Sequence, residues 1–193
     1  MLKKNNLEEI ARNIISLLQS EDHKKIRETI KSFHAADIAE IIKKLPDKES
    51  RTIFKIINEK KSAAILVELE EDIRARLLSS FSAKEIAEKI INNLESDDAV
   101  DVISELEEKE KSKVLSYVKR DHHAKDISDL LHYPDNSAGG LMATELIKVN
   151  ENWSTLECLK EMRKQAEGIK EVHTIYVINN KNQLLGSLSL KRL

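Results

Sequence analysis

The sequence predicts a mainly α protein, in which an array of short stacked helices precedes a small α/β unit of order β-α-β-β. Residues 1–138 contain no glycine, and their apolar residues recur at helical spacing. After Pro134 the sequence changes to short β-type runs separated by glycine and asparagine. We therefore predict a helical domain in residues 1–132 and a second, incomplete domain in residues 133–193.

The helical prediction comes from apolar stripes with the spacing of one helix face. The stripes are Ile38, Ile41, Ile42 and Leu45; Ile73, Leu77, Leu78 and Phe81; Ile86, Ile90, Ile91 and Leu94; and Ala99, Val102, Ile103 and Leu106. Leu45, Leu69 and Leu94 lie 24 and 25 residues apart, a period that fits a pair of short helices. One such pair cannot bury both of its faces, so we expect stacked pairs that share a continuous core.

The second part has the signals of a small sheet with one helix. Three short runs are predicted to be strands: residues 146–149, 174–178 and 184–190. Ser154 and Glu157 have the spacing of a capping box and predict the start of a helix. Gly186 indicates a bulge or a close backbone approach within the last strand. One helix covers only half of a sheet, so this domain is predicted to be incomplete.

Composition excludes several classes of function. Charged residues make up 34% of the chain and the net charge is -2, so no basic excess favours nucleic-acid binding. No run approaches the roughly 20 apolar residues that span a bilayer. Cys158 is the single cysteine and lies near an apolar stripe, which favours a small core residue over a nucleophile. No nucleophile-base pair or phosphate loop is present, so we do not expect an enzyme.

A family resemblance enters through the segment from Ser137 to Thr144. Its letters, SAGGLMAT, are similar to the segment that opens the first CBS domain of MgtE-type magnesium channels. The helical array before it resembles the MgtE cytosolic N-terminal domain, and Ile175–Val177 and Gly186–Leu190 resemble strands of that CBS domain. The resemblance covers nearly the whole chain and implies an MgtE N-terminal-like superhelix followed by the first part of a CBS domain.

The resemblance also implies partners and a location. A family member is a homodimeric, Mg²⁺-selective membrane channel, whose soluble regulatory part lies on the cytoplasmic side of the cell membrane. This chain would then work with the remainder of the same channel, namely a second CBS domain, a connecting helix and a transmembrane pore.

An acidic stretch in residues 95–110 is the main candidate site. It holds eight carboxylates against one base, Lys109. We predict Ser96 as the N-cap of a helix, with acidic residues in the first turn. A carboxylate pair one turn apart would suit Mg²⁺, which keeps several waters and takes one or two carboxylates. The alternative is an ordinary solvated helix face.

In the resembled family, acidic residues at the start of this helix lie at the interface of the helical and CBS domains and bind regulatory Mg²⁺. The matching residues here are Asp97 and Asp101, with Asp98 and Glu105 as secondary candidates. The resemblance thus implies a Mg²⁺-sensing region that closes the pore at high intracellular Mg²⁺.

Two other functions stay open at this point. A helical-repeat adaptor that only binds protein would have the same apolar stripes. A nucleotide-responsive CBS module would use Gly140, Thr174 and the residues 189–192, but Arg192 replaces the aspartate that usually binds ribose, and arginine accepts no hydrogen bonds. The neighbours His122 and His123 point about 100° apart on a helix and are expected to have a surface role.

Overall fold

The computed structural model describes residues 4–119, 121–167, 169, 172 and 174–189. The chain divides into two compact units, Met1–Leu141 and Met142–Leu193. The first unit is helical and the second has the order β-α-β-β, which confirms the predicted fold class.

Ten short α-helices and one 3₁₀ turn make up the described part of the first unit. They are α1 Lys4–Gln19, α2 His23–Lys31, α3 Ala35–Ile42, α4 Asp47–Ile56, α5 Glu59–Val67, α6 Glu71–Leu78, α7 Ala83–Lys89, the 3₁₀ turn Ile91–Asn93, α8 Ser96–Ser104, α9 Glu108–Ser116 and α10 Asp121–Leu130. Helices of this length are only marginally stable alone, so their stability comes from packing against one another.

The helices stack in two rows, because most of them pack on the next helix but one. Helices α1, α3, α5, α7 and α9 contact one another in sequence, and α2, α4 and α6 form the second row. Helix α10 packs on α8. Stacking of this kind buries one continuous apolar core, as expected for a repeat protein. The core runs from Leu7 to Leu130 and includes all four predicted stripes.

A large apolar residue precedes the N-cap of every helix from α3 to α9. These residues are Phe33, Leu45, Ile57, Leu69, Phe81, Leu94 and Leu106. Each step is twelve residues, except for thirteen between Phe81 and Leu94, where the 3₁₀ turn lies. All seven belong to the core or pack against it. The period of 24 to 25 residues seen in the sequence is therefore two steps of a twelve-residue unit.

The described residues of the second unit form a three-stranded sheet covered by one helix. Its elements are β1 Ile147–Asn150, α11 Thr155–Gln165, β2 Ile175–Ile178 and β3 Leu184–Leu188. Strands β1 and β2 are parallel, and β2 and β3 are antiparallel, in the order β1-β2-β3. Helix α11 contacts β1, and Cys158 and Met162 pack on the sheet in a small core. The burial of Cys158 agrees with its predicted structural role.

Two details of the sheet follow from single residues. Val177 pairs with Gly186 and Ile178 pairs with Leu184, so Leu185 is an extra residue in β3. This is the bulge that Gly186 indicated in the sequence, and an added Cβ at Gly186 would meet no atom within 4 Å. On β1, at the opposite edge of the sheet, the backbone N–H of Lys148 donates to Oε1 of Gln165 at 3.0 Å. Nε2 of Gln165 donates in turn to the carbonyl of Lys148 at 2.9 Å. The side-chain amide of Gln165 therefore satisfies the backbone N–H and C=O of a residue on an edge strand.

Among the described residues, no helix combines the length and the apolar character that crossing a bilayer requires.

The capping interaction at the start of α11 stabilises the folded chain to an extent that depends on pH. The backbone N–H and the hydroxyl of Ser154 both donate to Glu157 at 2.7 Å. These hydrogen bonds lower the pKa of Glu157 from its usual 4.5. The unfolded chain therefore binds this proton more tightly, so the stabilisation is present above pH 4.5 and is lost as the pH falls through the lowered pKa.

We expect Glu157→Gln to destabilise the chain at about pH 6 and to have a smaller effect at about pH 3, because the wild-type carboxyl is increasingly protonated as the pH falls through its lowered pKa. Urea denaturation followed by circular dichroism at both pH values measures this difference. Glu151→Gln is the matched control, because Glu151 is an exposed acid of the same unit outside the capping box. An equal loss at both pH values would contradict the role assigned to the charged form.

Candidate functional site

Helix α8 carries the acidic candidate residues and begins one residue away from the predicted position. Glu95 is the N-cap, with extended backbone angles of -74° and 163°, and its carbonyl accepts from the N–H of Ala99 at 2.9 Å. Ser96 is the first helical residue and is fully buried, so the prediction of Ser96 as N-cap is wrong. The physical reason is the burial of Leu94, which fixes where the helix begins.

The acidic stretch is divided between two helices. Helix α8 ends at Ser104 and α9 begins at Glu108, with Leu106 packed against the core between them. The carboxylates at 107, 108 and 110 therefore belong to α9. Asp97, Asp98 and Asp101 remain on α8, and the candidate site is limited to that helix and its end.

Asp97 and Asp101 lie one turn apart on α8. Asp97 is half-buried in the first turn, where the helix dipole favours a negative charge. Its Oδ1 atom is shielded from solvent and accepts no hydrogen bond from the described residues. Asp101 is exposed one turn later. An unsatisfied buried carboxylate oxygen is costly, so its presence here calls for a physical reason.

The carboxyl of Asp101 is influenced by three acidic side chains and one base. The pKa of its carboxyl is raised above the usual 3.8, chiefly because the surrounding protein partly removes water from it. The guanidinium of Arg74 opposes this shift, while Asp98, Asp97 and Glu105 add to it. A cation that binds at Asp101 would therefore relieve repulsion among several neighbouring carboxylates.

Glu105, the third acid on this face, already has a partner. Its two carboxylate oxygens accept from Nε of Arg74 at 2.9 and 3.0 Å, and Nη2 of Arg74 also donates to it. Both side chains are largely buried, and the pKa of Arg74 is raised, chiefly by these hydrogen bonds. The structure therefore removes Glu105 from the set of available ligands.

Sequence reasoning missed Arg74. It lies on α6, 31 residues before Glu105, and no short spacing links the two. Only the stacking of helices brings them together. The sequence does place Arg74 directly after Ile73, a residue of an apolar stripe, and this position could have indicated a partly buried arginine that needs an acidic partner.

Asp97 and Asp101 fit a hydrated Mg²⁺ in their chemistry. Carboxylate oxygens are hard ligands, and Mg²⁺ uses one or two of them together with several waters. Oδ1 of Asp97 accepts no hydrogen bond from the described residues, so the carboxylate charge is poorly compensated, and a cation on its solvent side would offset that charge. The described residues contain no group of three or more His, Cys, Asp or Glu side chains arranged to hold a metal ion. These two residues would therefore supply part of a coordination shell.

The SAGG part of the segment from Ser137 to Thr144 forms a tight turn. The N–H and the hydroxyl of Ser137 donate to the carbonyl of Pro134 at 2.9 and 2.7 Å, and Gly140 N–H donates to the Ser137 hydroxyl at 3.1 Å. A Cβ at Gly139 would collide with the ring of Tyr133, and one at Gly140 would collide with the carbonyl of Pro134. Close backbone packing therefore requires glycine at position 140, whereas a side chain at position 139 would require the exposed ring of Tyr133 to move.

The residues named for a nucleotide occur in different surroundings. Gly140 packs on Pro134, as described above. Thr174 lines a cavity of about 260 Å³ in the second unit, together with Ile147, Val172 and Tyr176. Arg192 lies outside the described residues. His122 is exposed near Asp126, and His123 contacts the carbonyl of Ile91 at 3.1 Å, so the two histidines do not share one ligand.

Comparison with known proteins defines the class first and then the family. Residues 138–193 match the CBS domain model, so the chain combines a helical-repeat domain with a CBS domain. Residues 33–136, more than half of the chain, match the model of the MgtE intracellular N domain. The chain therefore belongs to the MgtE family.

Individual relatives agree with this assignment. The chain is 33% identical over 70 residues to the magnesium transporter MgtE of Enterococcus faecalis and 34% identical over 110 residues to that of Bacillus subtilis. These matches cover 36% and 57% of this chain, but only 16% and 24% of those proteins. The chain thus matches less than a quarter of the length of these two relatives.

Two crystal structures share the fold. One is the soluble part of a magnesium transporter, with a TM-score of 0.82 over 96% of this chain and 73% of that chain. The other is the cytosolic domain of the Mg²⁺ channel MgtE in complex with ATP, with a TM-score of 0.83 over 94% of this chain and 73% of that chain. Both are 24% identical to this chain, so they support the arrangement of its elements.

The packing of the two glycines gives a stability prediction. We expect Gly140→Ala to destabilise the chain by about 1–3 kcal/mol, because the new methyl group overlaps the Pro134 carbonyl. Gly186→Ala is the control, since a Cβ there meets open space, and its effect should stay within about 0.5 kcal/mol. Chemical denaturation measures both, and equal stabilities would show that Gly140 is not constrained.

Proposed function

We propose that this chain is the Mg²⁺-sensing regulatory region of a magnesium channel or transporter, which closes the pore at high intracellular Mg²⁺. The proposal is based on Asp97 and Asp101 of α8. An oxygen of Asp97 accepts no hydrogen bond from the described residues, and Asp101 is exposed close to further carboxylates. Membership of the MgtE family supports it, because the relatives are magnesium transporters.

The proposed response is electrostatic. At low Mg²⁺, Asp97 and Asp101 repel carboxylates on a facing domain, which keeps the helical domain apart from it. A bound Mg²⁺ supplies two positive charges between these carboxylates. The closed arrangement then gains population, because it binds the ion more tightly than the open one. In this chain, α8 contributes the negative face and the stacked core keeps that face in place.

The arrangement of domains belongs to the proposal. We propose residues 1–132 as the helical N-terminal domain and residues 133–193 as the first part of the first CBS domain. Its partners would be a second CBS domain, a connecting helix and a transmembrane pore, in a homodimer whose regulatory part faces the cytoplasm. The match to both the N domain and the CBS domain favours this reading over a helical adaptor that only binds protein.

The test uses the complete gene product. We expect Mg²⁺ to protect it from protease, and Asp97→Asn with Asp101→Asn to raise the Mg²⁺ midpoint of protection by at least about tenfold, since two ligand charges are lost. Limited proteolysis over a Mg²⁺ titration measures the midpoint. The isolated chain should respond only at higher Mg²⁺ than the complete protein, because it supplies part of the ligand set.

The control removes the same charge from the next helix. Glu107→Gln with Glu110→Gln also takes away two negative charges, and both residues are exposed on or next to α9. We expect this control to leave the midpoint within about twofold of wild type, because screening weakens distant surface charges. If the Asp97 and Asp101 variant behaves like this control, the two aspartates are not sensor ligands.

A further inference from the structure

We propose that Arg74 sets the Mg²⁺ sensitivity of the α8 carboxylates by acting as a built-in counter-ion, which holds Glu105 and opposes cation binding at Asp101. This inference rests on the proposed function, because it concerns the regulation of the same surface. It differs from it in naming a residue that binds no Mg²⁺ and yet controls the concentration at which Mg²⁺ acts.

The position of Arg74 is fixed by contacts to two other helices. Its Nε donates to both oxygens of Glu105, and its Nη1 donates to the carbonyl of Val67, the last residue of α5, at 3.4 Å. The side chains of Arg74 and Glu105 are only 15% and 12% exposed. Solvent therefore screens this charge pair less than it screens a surface pair.

The ion pair changes the charge pattern of α8. Asp97, Asp101 and Glu105 follow one another at steps of four residues, so their side chains are neighbours on one face. Without Arg74 this face would present three carboxylates in a row. With Arg74 the third charge is neutralised, and the cation held on Glu105 also acts electrostatically on Asp101. Both effects weaken the attraction of the face for a divalent cation.

Arg74 and Arg76 are the two bases of α6, and they have different partners. Arg76, on the same helix, is exposed near Asp47 and Asp72. Arg74 interacts electrostatically with Glu105, Asp101 and Glu71. Asp101 and Glu105 lie on or at the end of α8, so the positive charge of Arg74 acts on that helix. An alternative role is purely structural, in which the pair only holds the end of α8 against α6 and α5.

The two roles predict different directions of change in the Mg²⁺ midpoint of protease protection. As a counter-ion, Arg74→Met leaves Glu105 unneutralised and should lower the Mg²⁺ midpoint of protease protection by about three- to tenfold. Glu105→Gln leaves the Arg74 charge next to Asp101 and should raise the midpoint by a similar factor. The double variant restores the net charge and should return within about twofold of wild type. A structural role would move both single variants in the same direction.

Matched variants keep the test decisive. Arg76→Met removes the same charge from the same helix and should leave the midpoint within about twofold of wild type. If Arg74→Met does not fold, Arg74→Gln takes its place, because its amide can still donate a hydrogen bond to Glu105 while the charge is removed, and the same lowered midpoint is expected. Thermal unfolding without Mg²⁺ separates lost stability from changed sensing.

The outcome also separates this inference from the proposed function. A midpoint for Arg74→Met equal to that of Arg76→Met, or single variants at Arg74 and Glu105 that shift in the same direction, would overturn the inference. The proposed function would still stand if the Asp97 and Asp101 variant raises the midpoint. If that variant leaves the midpoint unchanged, the proposed function fails, and this inference falls with it.

Discussion

The structure depends on the burial of one large apolar residue just before each helix, once every twelve residues. From Phe33 to Leu106 these residues enter the common core, and each one fixes where the next helix begins. Because an apolar side chain gains roughly 1.5–3 kcal/mol on burial, the position of a helix start is set more strongly by this residue than by its cap. Leu94 shows this, since α8 begins with Glu95 as its N-cap although Ser96 is the better capping residue.

The same constraint arranges charge on the surface. A helix that starts after a buried residue places its next residues in the first turn, where acids are favoured by the dipole. Helix α8 therefore presents Asp97 and Asp101 from a rigid base, with Ala99, Val102 and Ile103 buried beneath it. In the proposed function, that rigidity matters because repulsion and ion binding act on a fixed face and change the population of whole arrangements.

Much of the fold was available from the sequence, and the candidate site only in part. The apolar stripes, the capping box of Ser154 and Glu157 and the bulge at Gly186 depend on residues close in sequence, and all are confirmed. The N-cap of α8 was predicted wrongly, because local capping preference competes with tertiary burial. The partner of Glu105 was missed, because Arg74 lies 31 residues away and meets it only through helix stacking.

By itself the sequence determined the helical repeat, the small β-α-β-β unit, the family resemblance and the place of the acidic residues, since periodicity and short motifs are local properties. Only the tertiary structure decided which acids are available. In the part of the chain that the structure describes, Oδ1 of Asp97 has no donor, Asp101 is exposed and Glu105 is paired with Arg74. The physical reason is that the free energy of a charged group depends on its distance to other charges and to water, and folding sets both.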